Sequence, residues 1–436
     1  MQYKILQKMY TYSMKIQKLL KLNPFSLSQL REISHSYLHE LGEALQGRSK
    51  ALVNFNSSLL PATIPKINLD VEILCVDIAG SHLRVAINQI KIISGKIVVN
   101  KILASEVSHW SIKNLELLQF IDQTSLVITN FLRQNKSYHP EYFGISFSFP
   151  FTPRKVGHLI DADRSGYSDF WGKGFHIGHS QQNITKLLRE KLAKQGYVFS
   201  HWITVNDTVA LQVACPGSIV GIVVGTGFNL SVTGEKQIIY NTQSQIYQEE
   251  VITRLASLPA EQYLKYLMNN QAGSFAEAST AINEIQISGK FLPKLLLEAL
   301  QFLQLGNSEI YQIIETEEAA IFQKIFSKED LSILFKQNLG LEMQAQIRLI
   351  SDLLFTRSRD LVAAETAGAI MFARKYQLHS GKSIVAVDGA FFQKISGYLF
   401  EVEQKIQKIL GDNQIELQLV HNSSLLGAGL ATSVAQ

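Results

Sequence analysis

Residues 72–87 read EILCVDIAGSHLRVAI, and residues 218–234 read SIVGIVVGTGFNLSVTG. Each is an apolar run, a turn of small residues and a second apolar run. Apolar runs of this length, bounded by turn residues, predict strands. Backbone N–H groups in such turns form a concavity that suits an anion. The first turn is Ala79-Gly80-Ser81, with Asp77 before it and Arg84 after it. The second is Gly225-Thr226-Gly227. One pattern occurring twice, each time followed by helical sequence, predicts two related α/β domains facing each other. A cleft between such domains is a common place for a nucleotide and a small substrate.

The flanking sequence fills in the outline. Residues 72–107 hold three extended runs joined at Gly80-Ser81 and Ser94-Gly95, which predicts an antiparallel meander. A helix is expected at 111–135, a strand at YFGISFSFP, a helix at 180–196 ending at Gly196, and a strand HWITVNDT running into a helix. The C-terminal half is mostly helical, interrupted by KSIVAVDGA and IELQLV. Gly381-Lys382-Ser383 is not a P-loop, because Tyr376 stands where the leading glycine belongs and the strand follows the motif instead of preceding it. Residues 1–22 carry five lysines and no acid, with apolar residues at spacings of three and four. Such a basic helix either packs on its own domain or lies on an anionic membrane or a partner. A second helix over 26–50 is expected to start at Ser26 or Ser28, with Glu32 helping to cap it.

Bulk properties exclude several classes. The 436 residues are 46% apolar and 18% charged, enough for large cores and against disorder. A net charge of +4 is too mild for a nucleic-acid-binding protein. Two cysteines, Cys75 and Cys215, support no disulfide framework and fit a reducing cytoplasm. No membrane span or signal peptide is evident.

A series of short motifs carries a resemblance that spans nearly the whole chain. From LGEALQGRSKALVNFNSSLLPATIP at 41–65 it runs through FGISFSFP, WGKGF, VNDT, VVGTGFN, YNTQ, NEIQISGKFL and VDGAFF to LLGAGLATSVA at 425–435. In this order and spacing the series resembles the hexokinase family. The resemblance implies a two-domain actin-like (ribonuclease H-like) α/β fold whose small and large domains close around a sugar and ATP. It implies an N-terminal helical segment, 1–66, packing on the large domain. A small domain, 67–204, is completed by the C-terminal helix 427–436, and a large domain spans 205–426.

The site residues follow from the same resemblance. Asp207, in Asn206-Asp207-Thr208, matches the family's general base; a carboxylate there can take a proton from a substrate hydroxyl as a phosphoryl group approaches in line. By position it also fits the N-cap of the helix that follows. Lys173 in WGKGF matches a lysine that binds sugar oxygen and screens phosphoryl charge, though Gly172 stands where the family has threonine. Arg84 is expected to stabilise charge with it. Ser148, Asn206, Asn229, Gln243 and Glu284 correspond to sugar contacts, where hydroxyl and amide groups can both donate and accept.

Several positions depart from the family pattern. Gln243 replaces a glutamate; trading a charged hydrogen bond for a neutral one weakens sugar binding by roughly tenfold. The tryptophan that follows it in the family is Ser244. Ala79 replaces a glycine, which matters only if residue 79 needs a positive φ or a phosphate passes over its Cα. Phosphate and nucleotide contacts are expected from Asp77, Gly80, Ser81, Gly225, Thr226, Gly227, Gly389, Ser424 and Gly427, with Leu425 and Leu426 replacing a glycine and a basic residue. Asp77 is the expected holder of Mg2+ through water.

The function so implied is a glycolytic hexokinase, cytoplasmic, monomeric or homodimeric. It would move the γ-phosphoryl group of Mg-ATP to the 6-hydroxyl of glucose or a related hexose. The residues also leave open a non-catalytic sugar- or nucleotide-binding regulator, or a kinase for another sugar, on the same scaffold.

Overall fold

The computed structural model describes residues 14–49, 52, 56–79, 82–109, 117–148, 151–155, 158–162, 184–242, 244, 247, 250–270, 282–316, 325, 331–336, 339–376 and 381–434. The expected meander is present as β2 (Leu69–Ile78), β3 (His82–Ile93) and β4 (Lys96–His109) after a short first strand, β1 (Asn56–Pro61). Parallel strands β5 (Tyr142–Phe147) and β8 (His201–Asn206) extend it to a five-stranded sheet in the order β4-β3-β2-β5-β8. A small hairpin, β6 (Phe151–Lys155) with β7 (His158–Ala162), lies between them in sequence. The second repeat builds a six-stranded sheet from β9 (Ser218–Val224), β10 (Phe228–Thr233), β11 (Ile238–Asn241), β12 (Ser383–Asp388) and β13 (Ile415–Leu419), with β1 at its edge. Its order is β1-β11-β10-β9-β12-β13. From the third strand of each repeat inward, both sheets run antiparallel, antiparallel, parallel, parallel.

Side-chain alternation explains the layers. On β2, Leu74, Val76 and Ile78 face the helices Leu117–Gln134 and Ile184–Lys194, in a core with Phe120, Phe131, Phe143 and Trp202. Ile73 and Cys75 face the other way, against Leu425, Ala428 and Ala431 of the helix Ser423–Val434. The larger core lies around β9, β12 and the 34-residue helix Leu341–Arg374. β9 and β12 are buried along nearly their whole length, which is why they read as unbroken apolar runs.

Two helices tie the sheets together. The helix Asp207–Ala214 starts at the end of β8 but packs on β9 and β10 of the other sheet. The helix Ser423–Val434 follows β13 but packs on β2, β3 and β5. They cross where a Cβ on Gly427 would lie 1.8 Å from the Ala210 carbonyl oxygen. Only glycine allows that approach, because even one methyl group would overlap backbone.

The N-terminal region follows one expectation and departs from another. Of the basic helix, residues 14–22 are described, and Ile16, Leu20 and Leu22 are buried in the large core. The next helix is Leu27–Leu45, capped by Ser26. Its reciprocal cap is Gln29 and not Glu32: Gln29 N donates to Ser26 Oγ at 3.2 Å, and Ser26 N to Gln29 Oε1 at 2.9 Å. Only the third helical residue reaches back to the cap, and Glu32 instead pairs with Arg254 at 2.5 Å. Lys382 of the GKS sequence pairs with Glu416 at 2.5 Å, just ahead of β12. Among the described residues no helix is long and apolar enough to cross a membrane.

The helix crossing predicts a sharp contrast between glycines. Gly427→Ala should lower the urea midpoint by an amount equivalent to about 3 kcal/mol, the upper end for overpacking. Gly42→Ala, where an added Cβ meets nothing within 4 Å, should leave it unchanged or raise it by up to about 1 kcal/mol.

Candidate active site

The chain turns from β8 into a helix at Asn206-Asp207. Asn206 is the N-cap: its Oδ1 accepts Thr208 N at 3.1 Å and Thr208 Oγ1 at 2.7 Å. The capping position expected for Asp207 as an alternative therefore belongs to its neighbour. Asp207 is the first residue of the helix, half-buried, with Oδ1 accepting Thr208 N at 2.8 Å.

Buried amides surround it. Asn229 on β10 donates from Nδ2 to Asn241 Oδ1 at 2.9 Å and to Asn206 Oδ1 at 3.3 Å. Its Oδ1 accepts Leu230 N at 2.8 Å and Ser244 N at 3.2 Å. Asn206 Nδ2 reaches the Phe147 carbonyl across β5 at 3.4 Å. So Asn206, Asp207 and Asn229 are brought together from both sheets. Glu284 is buried on the short helix Ile282–Ile287, whose Asn283 donates to the Ser244 carbonyl at 3.0 Å. Ser148, one residue past β5, donates its backbone N–H to the Ile78 carbonyl at 3.2 Å. Lys173 and Gln243 lie outside the described residues. Asn241 is not expected as a site residue from sequence, though it lies in the YNTQ motif, and Ser244 is read there only as the residue in place of a tryptophan.

The second small-residue turn is built into a cluster. Gly225 N donates to the Gly227 carbonyl at 2.9 Å. Gly289 N donates to the Gly225 carbonyl at 2.8 Å, and Lys290 N to the Thr226 carbonyl at 3.3 Å. Gly389 sits against the same turn with φ +104°, a conformation that disfavours any side chain. Asp388 accepts the Gly389 N–H at 2.6 Å and the Ser423 hydroxyl, which places Ser424 at the start of the next helix. Gly427 lies apart from this cluster, at the helix crossing.

The first turn holds a charge pair. Asp77, at the end of β2, is buried, and its Oδ2 accepts Arg84 Nε at 2.9 Å and Nη2 at 2.7 Å. His82 Nε2 lies 3.9 Å from the same oxygen. Arg84 also reaches Asn422 Oδ1, at 3.5 Å, at the foot of the helix Ser423–Val434. The guanidinium expected to stabilise phosphoryl charge is thus held against Asp77. Asp77 Oδ1 is buried without a hydrogen-bond partner among the described residues. A buried carboxylate oxygen left unpaired fits a ligand that the protein itself does not supply. Ala79 N donates to the His82 carbonyl at 3.1 Å, and Ala79 is not among the residues with positive φ. Its methyl group therefore carries no backbone strain. Gly80 and Ser81 lie outside the described residues.

Comparison with known proteins bears on this geometry. A family profile described as hexokinase matches residues 15–216, and a second hexokinase profile matches 219–434. The chain belongs to the hexokinase family. It is 21% identical over 320 residues to a protein named Hexokinase-1 from Nicotiana tabacum, covering 67% of this chain and 63% of that one. It is 22% identical over 355 residues to Hexokinase-1 of Spinacia oleracea, covering 72% and 69%. Among solved structures, a hexokinase from Schistosoma mansoni complexed with glucose superposes with a TM-score of 0.79 at 17% identity, over 97% of this chain and 99% of that one. Another hexokinase crystal structure gives 0.72 at 18% identity, over 97% and 99%. The shared two-domain fold is that of actin-like sugar kinases.

The pair at the first turn generates a stability prediction. Arg84→Met leaves a buried carboxylate without its cation and should destabilise the protein by about 3 kcal/mol. Adding Asp77→Asn should recover part of that loss. A double-mutant cycle in urea measures the coupling, and independent, additive effects would show that the pair is not coupled.

Proposed function

We propose that this protein is an ATP-dependent hexose kinase, moving the γ-phosphoryl group of Mg-ATP to the 6-hydroxyl of glucose or a related hexose. The observation that carries the proposal is the position of Asp207. Its carboxylate stands at a helix N-terminus, beside the buried amides of Asn206 and Asn229, and Asn229 is two residues from the Gly225–Gly227 turn.

In this mechanism Asn206, Asn229 and Glu284, with Ser148, Lys173 and Gln243, orient the hexose by its hydroxyls. Asp207 takes the proton of the primary hydroxyl as that oxygen attacks phosphorus in line. N–H groups of the Gly225–Gly227 turn meet phosphate oxygens. Asp77, through the Oδ1 that has no partner among the described residues, is the residue that would hold Mg2+ by way of water; the ion would neutralise charge on the phosphates. A single carboxylate suffices, because magnesium keeps several waters and takes its other ligands from phosphate. Closure of the domains keeps out water, which would compete as acceptor. The proposal places the protein in the cytoplasm, where Cys75 and Cys215, both buried and free, stay reduced.

Release of ADP from Mg-ATP should depend on glucose, and Asp207→Ala should lower kcat by about 10²–10⁴-fold. A coupled ADP assay reads both. Glucose-dependent stabilisation without turnover would identify a sugar-binding regulator instead. Turnover with another sugar alone would reassign the substrate.

A further inference from the structure

Glu365 lies in the middle of the helix Leu341–Arg374, in the sequence LVAAETAGAI, with no exposed surface. Neither of its oxygens makes a hydrogen bond among the described residues. Burial pushes its carboxyl well above the ordinary carboxylate range, which favours the neutral acid. A neutral acid has one O–H to donate. Beside it is Asn283, whose Oδ1 is also buried without a hydrogen-bond partner among the described residues. Donation from Glu365 to that oxygen would satisfy both groups, where leaving the amide oxygen unpaired costs stability.

Asn283 leads directly to the candidate sugar site. Its Nδ2 donates to the Ser244 carbonyl at 3.0 Å, and Ser244 N donates to Asn229 Oδ1 at 3.2 Å. Asn283 also precedes Glu284 on the same short helix. Ser244 stands where the family pattern has tryptophan, and it is fully buried. Its hydroxyl is paired with Thr242 Oγ1 at 2.5 Å and with the hydroxyl of Tyr37, which comes from the helix Leu27–Leu45. Tyr37 is itself set edge-on to Tyr247, with ring centroids 4.9 Å apart. Where a large apolar side chain would fill this space, a polar cluster with a carboxyl group at its base does so.

We propose that Glu365 is a positioning residue for hexose binding, acting through Asn283 and Ser244 to fix Asn229 and Glu284 in the geometry the sugar meets. This rests on the cleft being a hexose site. It makes Glu365 act first on one substrate: the hydrogen bonds from Asn283 run to Ser244 and Asn229, whereas the Gly225–Gly227 turn is met further along, where Gly289 N donates to the Gly225 carbonyl.

The test compares Glu365→Gln, which keeps an N–H donor of similar shape, with Glu365→Leu, which removes it. Calorimetry gives Kd for glucose and for ADP, and steady-state kinetics give KM and kcat. Glu365→Leu should raise glucose Kd and KM about tenfold, leave ADP Kd unchanged and keep kcat within about twofold. Glu365→Gln should restore most of the glucose affinity. Unchanged glucose affinity in Glu365→Leu, or equal losses with Leu and Gln, would overturn the proposal while leaving the kinase intact. Absence of hexose binding in the unaltered protein would overturn the hexose site, and this proposal with it. Should Glu365→Leu fail to fold, Asn283→Ala carries the same expectation with Glu365 in place: a glucose-specific loss supports the proposal, and none overturns it.

Discussion

The contact that organises the molecule is the crossing of the helices Asp207–Ala214 and Ser423–Val434. Each helix begins from one sheet and packs on the other, so their contact is also the contact between the two halves. The Ala210 carbonyl occupies the space where any Cβ at residue 427 would be. Because the candidate base Asp207 begins one helix and Ser423, next to the candidate nucleotide residue Ser424, begins the other, the same crossing fixes where the two ends of the candidate site lie relative to each other. A single steric constraint thus reaches both ends of the site.

Around that crossing, polar groups are buried in pairs and chains instead of being left to solvent. Asn206 caps the helix, which frees Asp207 from serving as the cap. Asn229 is held by five neighbours, Asn206, Thr208, Asn241, Leu230 and Ser244, so its amide arrives oriented. Such networks are costly when incomplete and rigid when complete. Rigidity of this kind suits a site that must distinguish sugar hydroxyls by direction.

Much of the fold was legible in the sequence, for reasons local to the chain. The repeated strand-turn-strand units, the meander over 72–107 and the Ser26 helix start depend on alternation and turn chemistry within a few residues. The strand at 56–61 was not legible: NSSLLP has no alternation, and it is a strand only because the edge of β11 offers it hydrogen bonds. Arg84 is a similar case. Its place beside a glycine turn suggests a phosphate contact; what the sequence did not show is that Asp77, directly across the β2–β3 ladder, accepts from its guanidinium.

By itself, the sequence determined the two α/β units, their small-residue turns and the ordered motifs that placed Asp207, Asn206 and Asn229 in one family of sites. These are properties of short segments, set by backbone sterics and by which side chains can meet within a turn. Only the tertiary structure decided that Gly427 serves helix crossing, that Asn206 and not Asp207 caps the helix, and that Glu365 lies beside Asn283. The physical reason is separation along the chain. Gly427 meets Ala210, and Tyr37, Ser244, Asn283 and Glu365 meet one another, across tens to hundreds of residues. No local pattern records such a meeting, because it exists only once the cores have packed.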